Sequence, residues 1–163
     1  MKSITIAPTD TTFLHATHKV VIDYADVAAL GSGTTGTIAI IPASGTFPAG
    51  TTARFAGMQL VTAFDASDAS INSLLVEVGD GGDTDRLLTQ TQIAVDGTEI
   101  LYKVEGAVTQ PSSYLVADTI DALFTVAGGA SPTLAEITSG ELHIYLEITN
   151  PQNSMQKVNG PLS

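Results

Sequence analysis

The sequence predicts an all-β protein, an antiparallel two-sheet β-sandwich of about eight strands, and three observations support this fold class. Apolar and polar residues alternate along several segments, which is the pattern of strands with one buried face. Helical spacing of apolar residues is interrupted by Gly, Pro or β-branched clusters. Turn residues separate the alternating segments at regular intervals. Two sheets packed face to face would bury one face of every such strand.

The clearest strand is predicted at residues 141–148. Its apolar side chains share one face, namely Leu142, Ile144, Leu146 and Ile148. The other face carries Glu141, His143, Tyr145 and Glu147. The first face is therefore expected in the core and the second in water.

Further strands are predicted at residues 3–6, 13–24, 37–41, 58–64, 71–78, 98–104 and 119–126. Their inward faces are expected to hold Met58, Leu60, Phe64, Ile100, Tyr102, Val104, Ile120, Ala122, Phe124 and Val126. A short helical turn is expected at residues 133–137, with Glu136 near its start.

Residues 74–88 predict a hairpin, because two apolar runs flank a short acidic turn rich in glycine. The glycines of this turn can take the positive φ angles of a tight reversal, namely Gly79, Gly81 and Gly82. Its aspartates can bond their own backbone in Asx turns, namely Asp80, Asp83 and Asp85.

One domain is expected over residues 1–149, within which residues 1–12 could form an extended N-terminal arm. Periodicity is lost from residue 150 onward, so residues 150–163 are expected to form an extended C-terminal tail. A core of Val, Ile, Leu and Ala is expected, since aromatic residues make up 6% of the chain and Trp is absent.

Charge argues against two classes of partner. The 163 residues include 17 acidic and 6 basic ones, for a formal net charge of -11. The lysines and arginines are scattered singly, so direct binding to nucleic acid or to anionic membranes is not expected. No secretory signal or membrane-spanning apolar run is evident, which indicates a soluble protein made inside the cell.

Asp80, Asp83 and Asp85 are weak candidates for calcium ligands, since carboxylates on a glycine-rich loop suit that ion. The segment lacks the spacing of an EF-hand and the tandem copies of a β-roll, so turn formation is the preferred interpretation. His15 and His18 would face opposite sides of a strand and could not share one metal ion.

Catalytic signatures are missing from the sequence. There is no cysteine, no Gly-x-Ser-x-Gly nucleophile elbow, no phosphate loop and no dinucleotide fingerprint. The chain is therefore interpreted as a non-enzyme without a cofactor.

The segment 74–88, LLVEVGDGGDTDRLL, resembles a motif of tailed-bacteriophage virion proteins. Segments 21–26, 41–43, 117–122 and 140–145 resemble the flanking layout of those proteins, so the similarity spans residues 20–148. The resemblance implies a jelly-roll-like β-sandwich that acts as a capsid decoration, or cement, protein. It implies no catalytic residues.

The same resemblance implies a location on the outer surface of the virion head, after synthesis in the host cytoplasm, with the major capsid protein as partner. Self-association as a homotrimer is expected, because capsid lattices present local threefold positions. The alternative is a tail, fibre or baseplate β-sandwich module with weak glycan binding through loops such as residues 31–36.

Overall fold

The computed structural model describes residues 2–5, 15–41, 46–95, 102–103 and 112–149, and this part of the chain is all-β. Its strands are β1 (Lys2–Thr5), β2 (His18–Asp23), β3 (Thr35–Ile41), β4 (Thr52–Ala66), β5 (Ile71–Asp80), β6 (Asp83–Ala94), β7 (Tyr102–Lys103), β8 (Ser112–Ser113), β9 (Ile120–Gly128) and β10 (Ile137–Thr149). A one-turn helix α1 (Tyr24–Ala28) and a 3₁₀ turn (Leu134–Glu136) complete the described elements. The predicted all-β class is confirmed.

Eight strands form one hydrogen-bonded path in the order β1-β2-β10-β4-β6-β5-β9-β3, nearly closed into a barrel. Neighbours pair antiparallel except β4 and β6, which run parallel and meet at the single pair Phe64 and Ala94. The sheet is mixed because β6, and not the intervening β5, lies beside β4. A wholly antiparallel sheet was therefore a wrong prediction, and the two-sheet sandwich is not confirmed.

Strand β4 pairs with other strands along both of its edges. One edge pairs with β10 from Thr52 to Ala66. The other edge pairs successively with β8 at Thr52 and Ala53, with β7 at Met58 and Gln59, and with β6 at Phe64. Residues 58–64, predicted as a strand, are thus the middle of a strand of 15 residues.

Residues 13–24 do not form one strand as predicted. β2 ends at Asp23, whose side chain accepts a hydrogen bond from the amide of Asp26 at 3.1 Å. The Asp26 carboxylate accepts in return from the Asp23 amide at 3.1 Å. This reciprocal capping box starts α1 at Tyr24.

The predicted helical turn at residues 133–137 is confirmed as the 3₁₀ turn Leu134–Glu136. The Glu136 carboxylate accepts hydrogen bonds from the Thr133 amide at 2.8 Å and from the Thr133 hydroxyl at 3.0 Å. Leu134 is fully buried, so the turn also contributes to the core.

One hydrophobic core receives side chains from β2 to β6, from β9 and from β10. The predicted inward residues of β4 and β9 are buried, namely Met58, Leu60, Phe64, Ile120, Ala122, Phe124 and Val126. Phenylalanines at positions 47, 55, 64 and 124 join the aliphatic side chains in this core. The prediction for Ile100, Tyr102 and Val104 concerns side chains outside the described part.

The polar face predicted for residues 141–148 is wrong at two positions. Tyr145 is 4% exposed and packs with Ala16 and Ala56 in a second, small cluster. The His143 side chain is 12% exposed. Ala16 and Ala56 cover this face of β10 at Tyr145. Glu141 and Glu147 keep side chains that are 41% and 29% exposed, so the face is covered in part and the prediction holds at the two glutamates.

The predicted N-terminal arm, residues 1–12, contains β1, which pairs with β2 at the end of the strand path. The rest of that arm and the predicted tail at residues 150–163 lie outside the described residues. Among the described helices, none is long and apolar enough to cross a membrane.

Candidate functional site

The turn between β5 and β6 is built around the buried carboxylate of Asp80, which is 4% exposed. Its Oδ1 accepts hydrogen bonds from the amides of Gly82 at 2.9 Å and Asp83 at 3.0 Å, and its Oδ2 accepts from Nε of Arg86. Burial opposes ionisation, but the Arg86 hydrogen bond, the Gly82 amide and the Arg86 charge outweigh it. The pKa of Asp80 is therefore lowered from its ordinary value.

The glycines of this turn do not supply the positive φ angles that were predicted for them. None of Gly79, Gly81 and Gly82 is among the described glycines with positive φ. Gly79 is needed for close approach instead, because a Cβ there would lie 2.0 Å from the carbonyl oxygen of Asp83. The Asx bonds of Asp80, which were predicted, hold the reversal.

The three aspartates predicted as weak calcium candidates bond to different groups and do not form one ligand set. Asp80 is engaged by Arg86 and two amides. The pKa of the exposed Asp85 carboxyl is raised, chiefly by a hydrogen bond with the Asp83 side chain. In the described part of the chain, no group of three or more His, Asp or Glu side chains is placed to hold a metal ion.

The loop after β8 is fixed to the segment before β4 by backbone hydrogen bonds. Phe47 and Asp118 exchange two such bonds, at 2.7 and 3.2 Å. The Tyr114 amide donates to the Thr51 carbonyl at 2.9 Å, and the Tyr114 carbonyl accepts from the Gly50 amide at 2.8 Å. Residues 114–118 therefore have a defined position although they form no regular strand.

A cavity of about 300 Å³ lies between this loop and the β5–β6 turn, at the low end of the range for small-ligand sites. It is lined by Asp80, Gly82, Arg86, Ser112, Ser113, Tyr114, Leu115, Val116 and Asp118. We refer to it as the Asp80–Asp118 cavity.

Tyr114 forms one wall of the cavity and is 6% exposed. Its ring contacts Phe47 edge to face, with centroids 4.8 Å apart. Its buried hydroxyl has no hydrogen-bond partner of acceptable geometry among the described residues. Burial first, and then the charge of Asp80 and its carboxylate within reach of the hydroxyl, raise the pKa of Tyr114, so the phenol stays protonated.

The cavity is acidic inside and apolar at its rim. Two carboxylates and one guanidinium line it, and Asp83 lies beside them, 3.9 Å from Nη2 of Arg86. Leu115 and Val116 are 89% and 69% exposed, the highest values among the described large apolar side chains. Such an arrangement suits a ligand with a cationic group and an apolar neighbourhood.

The three histidines lie in different environments. His15 lies before β2 with φ of 75° and is exposed. His18 begins β2, where burial lowers its pKa. His143 Nε2 is 2.7 Å from Oε1 of Glu141, and its buried Nδ1 has no partner within the described part.

Sequence reasoning singled out the acidic turn but missed the other side of the cavity. Tyr114, Leu115 and Val116 lie between the predicted strands 98–104 and 119–126, and Asp118 directly precedes the second of them. The adjacent apolar pair at positions 115 and 116 was a usable signal, because it lies outside any alternating pattern.

Comparison with known proteins finds no matching family model, no matching curated protein and no matching solved structure.

Proposed function

We propose that this chain is a non-enzymatic structural protein of tailed-bacteriophage virions that binds the outer capsid surface and stabilises the head. The observation that carries the proposal is the resemblance of residues 20–148 to phage virion proteins, centred on segment 74–88. That segment corresponds to the β5–β6 hairpin. The major capsid protein is the proposed partner, and no cofactor takes part.

The ends of the strand path support a role in binding. Among the described strands, β1 and β3 are each paired on one side. The side chains of Thr35, Thr37 and Ala39 on β3 are exposed. An unpaired strand edge can accept an extended segment of a neighbouring chain through backbone hydrogen bonds.

We also propose that the path divides into the two sheets of a jelly-roll-like sandwich, β1-β2-β10-β4 and β6-β5-β9-β3. The supporting observation is that the two halves join at one residue pair, Phe64 and Ala94. A crystal structure with the two sheets facing each other about 10 Å apart would agree. A continuous ladder between β4 and β6 would contradict it.

The proposed function is tested by imaging purified virus particles at a resolution that separates individual subunits. Many copies distributed over the head are expected. A few copies at the tail would favour the tail, fibre or baseplate alternative, and absence from particles would overturn both.

Attachment through the chain termini is a separate part of the proposal. Removal of residues 1–12 together with 150–163 is expected to abolish binding to particles, because these segments could dock on neighbouring chains. β1 lies in the removed segment, so the melting temperature is measured alongside, and a variant lacking only residues 150–163 keeps β1. Unchanged attachment of a folded double truncation would contradict this part.

The proposed self-association as a homotrimer is tested by sedimentation of the free protein. A concentration-dependent trimer is expected. A monomer at all accessible concentrations would restrict assembly to the particle surface and contradict a preformed trimer.

A further inference from the structure

We propose that the Asp80–Asp118 cavity receives a lysine or arginine side chain from a basic segment of a partner protein. In this arrangement Leu115 and Val116 pack against apolar residues that flank the basic one. The inference rests on the proposed function in one respect, that the partner is a protein, and it does not depend on where that partner is found.

Asp118 supplies the carboxylate of the cavity that has no cationic partner among the described residues. Its Oδ1 accepts a hydrogen bond from the Thr119 amide at 2.8 Å, whereas Oδ2 has no hydrogen bond within the described part of the chain. Asp80, in contrast, already has Arg86 as its cationic partner. A cation entering the cavity would therefore find Asp118 as its principal acceptor.

The Tyr114 hydroxyl provides a second acceptor. It is buried and makes no hydrogen bond of good geometry with a described residue, but the Asp80 carboxylate lies within reach of its proton and raises the phenol pKa. The protonated phenol keeps an oxygen lone pair that can accept from an ammonium or guanidinium group. With its proton directed to Asp80, the phenol oxygen has an open lone pair for an incoming donor.

The rim supports a protein partner over a small free cation. Leu115 and Val116 are exposed side by side, next to backbone that is fixed by the bonds of Tyr114 and Asp118. An apolar patch already held in place loses little conformational entropy on binding. The patch would cover the aliphatic stem and the neighbours of a basic residue.

Charge argues against two copies of this chain meeting at the cavity. Asp80, Asp83 and Asp118 outnumber the one cation Arg86 at this place, so two copies presenting this same face would repel each other locally. The proposed homotrimer would then use other surfaces. A basic segment of another protein has complementary charge.

A glycan is less suited, because Tyr114 packs edge to face against Phe47 and is 6% exposed, which leaves little ring surface for stacking.

The test uses the full chain and a matched pair of capped peptides, acetyl-Ala-Leu-Arg-Leu-Ala-amide and the same peptide with citrulline in place of arginine. Binding is followed by amide NMR shifts. The arginine peptide is expected to bind at millimolar or lower concentration, to shift residues 80–86 and 112–118, and to weaken with added salt. The neutral citrulline peptide is expected to bind several-fold more weakly.

Variants identify the groups that bind. Asp118→Asn is expected to weaken arginine-peptide binding roughly fivefold, the size of a partly exposed charge pair. Asp65→Asn is its matched control, since Oδ1 of Asp65 likewise accepts from the next amide, at 2.8 Å. Tyr114→Phe is expected to weaken binding while changing the melting temperature little, because the hydroxyl makes no hydrogen bond of good geometry in the free protein.

The apolar rim has its own matched pair of variants. Leu115→Ser together with Val116→Ser is expected to weaken binding, whereas Val61→Ser, which changes another exposed apolar residue, is not. Equal binding of both peptides, equal effects of Asp118→Asn and Asp65→Asn, or no shifts at millimolar peptide would overturn the inference. So would shifts of the same residues by calcium alone, by monosaccharides or by protein concentration.

These results are separable from the proposed function. Peptide binding is measured on the isolated protein, whereas capsid decoration is measured on particles. Decorated particles without peptide binding would overturn only the cavity inference, and peptide binding without decoration would overturn only the location on the head.

Discussion

Single residues decide the geometry of the β5–β6 turn. Asp80 lies in the buried part of the turn and satisfies two amides and the Arg86 guanidinium. Gly79 allows the chain beyond the turn to approach it within a distance that no side chain would permit. The conformation therefore depends on one carboxylate and one missing Cβ, while the positive φ angles of the described glycines occur elsewhere.

Gly79→Ala is expected to lower the free energy of unfolding by about 2 kcal/mol or more, because the new Cβ would overlap backbone atoms. Atoms of Asp83 and Thr84 lie 2.0 and 2.5 Å from the Cβ position. Gly81→Ala is the control in the same turn, where the nearest atom is 3.9 Å away, and a change within about 0.5 kcal/mol is expected. Urea unfolding measures both, and equal effects would contradict the steric explanation.

Asp80→Asn is expected to lower the free energy of unfolding by about 1–2 kcal/mol at pH 7, because the buried ion pair and its hydrogen bonds are weakened. The pKa of Asp80 is lowered in the folded protein from its ordinary 3.8. Its contribution is therefore complete above pH 3.8 and is lost as the pH falls through the folded-state pKa.

Urea unfolding of both proteins between pH 7 and pH 2 checks this expectation, and the difference between them should shrink at the acid end. The pKa values of Asp85 and Asp121 are raised, so these groups change stability with pH in the direction opposite to Asp80. Both groups are present in both proteins, so their effects cancel in the difference. A difference that stays constant with pH would show that the carboxylate charge contributes nothing.

At the scale of elements, a local pair of side-chain hydrogen bonds ends β2, where the apolar pattern alone would continue the strand. The capping box of Asp23 and Asp26 converts the chain from β2 to α1 within one residue. In β10, Gly140 has a φ of 133°, and a Cβ there would lie 2.3 Å from the Phe64 ring. The register shifts around Glu141 therefore accompany the close packing of β10 on β4.

Asp23→Ala is expected to destabilise the protein by about 1 kcal/mol, the usual cost of losing an N-cap side chain. Asp23→Asn should retain most of the stability, because its amide oxygen can still accept from the Asp26 amide. Thermal unfolding of the two variants gives the comparison. A loss of equal size in both would attribute the effect to charge and not to capping.

In the described part of the chain, both halves of the strand path share one main core, although the two halves are joined at a single parallel pair. β5 contributes Leu74 and β10 contributes Ile144, both fully buried, to the same cluster of side chains. Cooperative unfolding of the two halves must then depend on side-chain packing, because the Phe64–Ala94 pair alone supplies few backbone hydrogen bonds.

Leu74→Ala and Ile144→Ala are each expected to cost about 3 kcal/mol, the usual effect of creating a core cavity. Each should lower hydrogen-exchange protection in both halves, since they share the core. Amide exchange monitored in β5 and in β10 gives the measurement. Loss of protection only in the half that carries the substitution would show that the two halves unfold separately.

The sequence by itself determined the all-β class, the position of the acidic hairpin, the 3₁₀ turn and the inward faces of β4 and β9. These depend on period-two alternation and on local hydrogen bonds between residues close in the chain. Asp80 was predicted to bond the backbone of its own turn, and it does so.

Only the tertiary structure decided which strands are neighbours, because pairing depends on contacts between residues far apart in sequence. The parallel meeting of β4 and β6 and the burial of Tyr145 are consequences of that kind. The Asp80–Asp118 cavity is another, since its two walls lie about thirty residues apart in the chain and meet only when β5, β6 and the loop after β8 fold together.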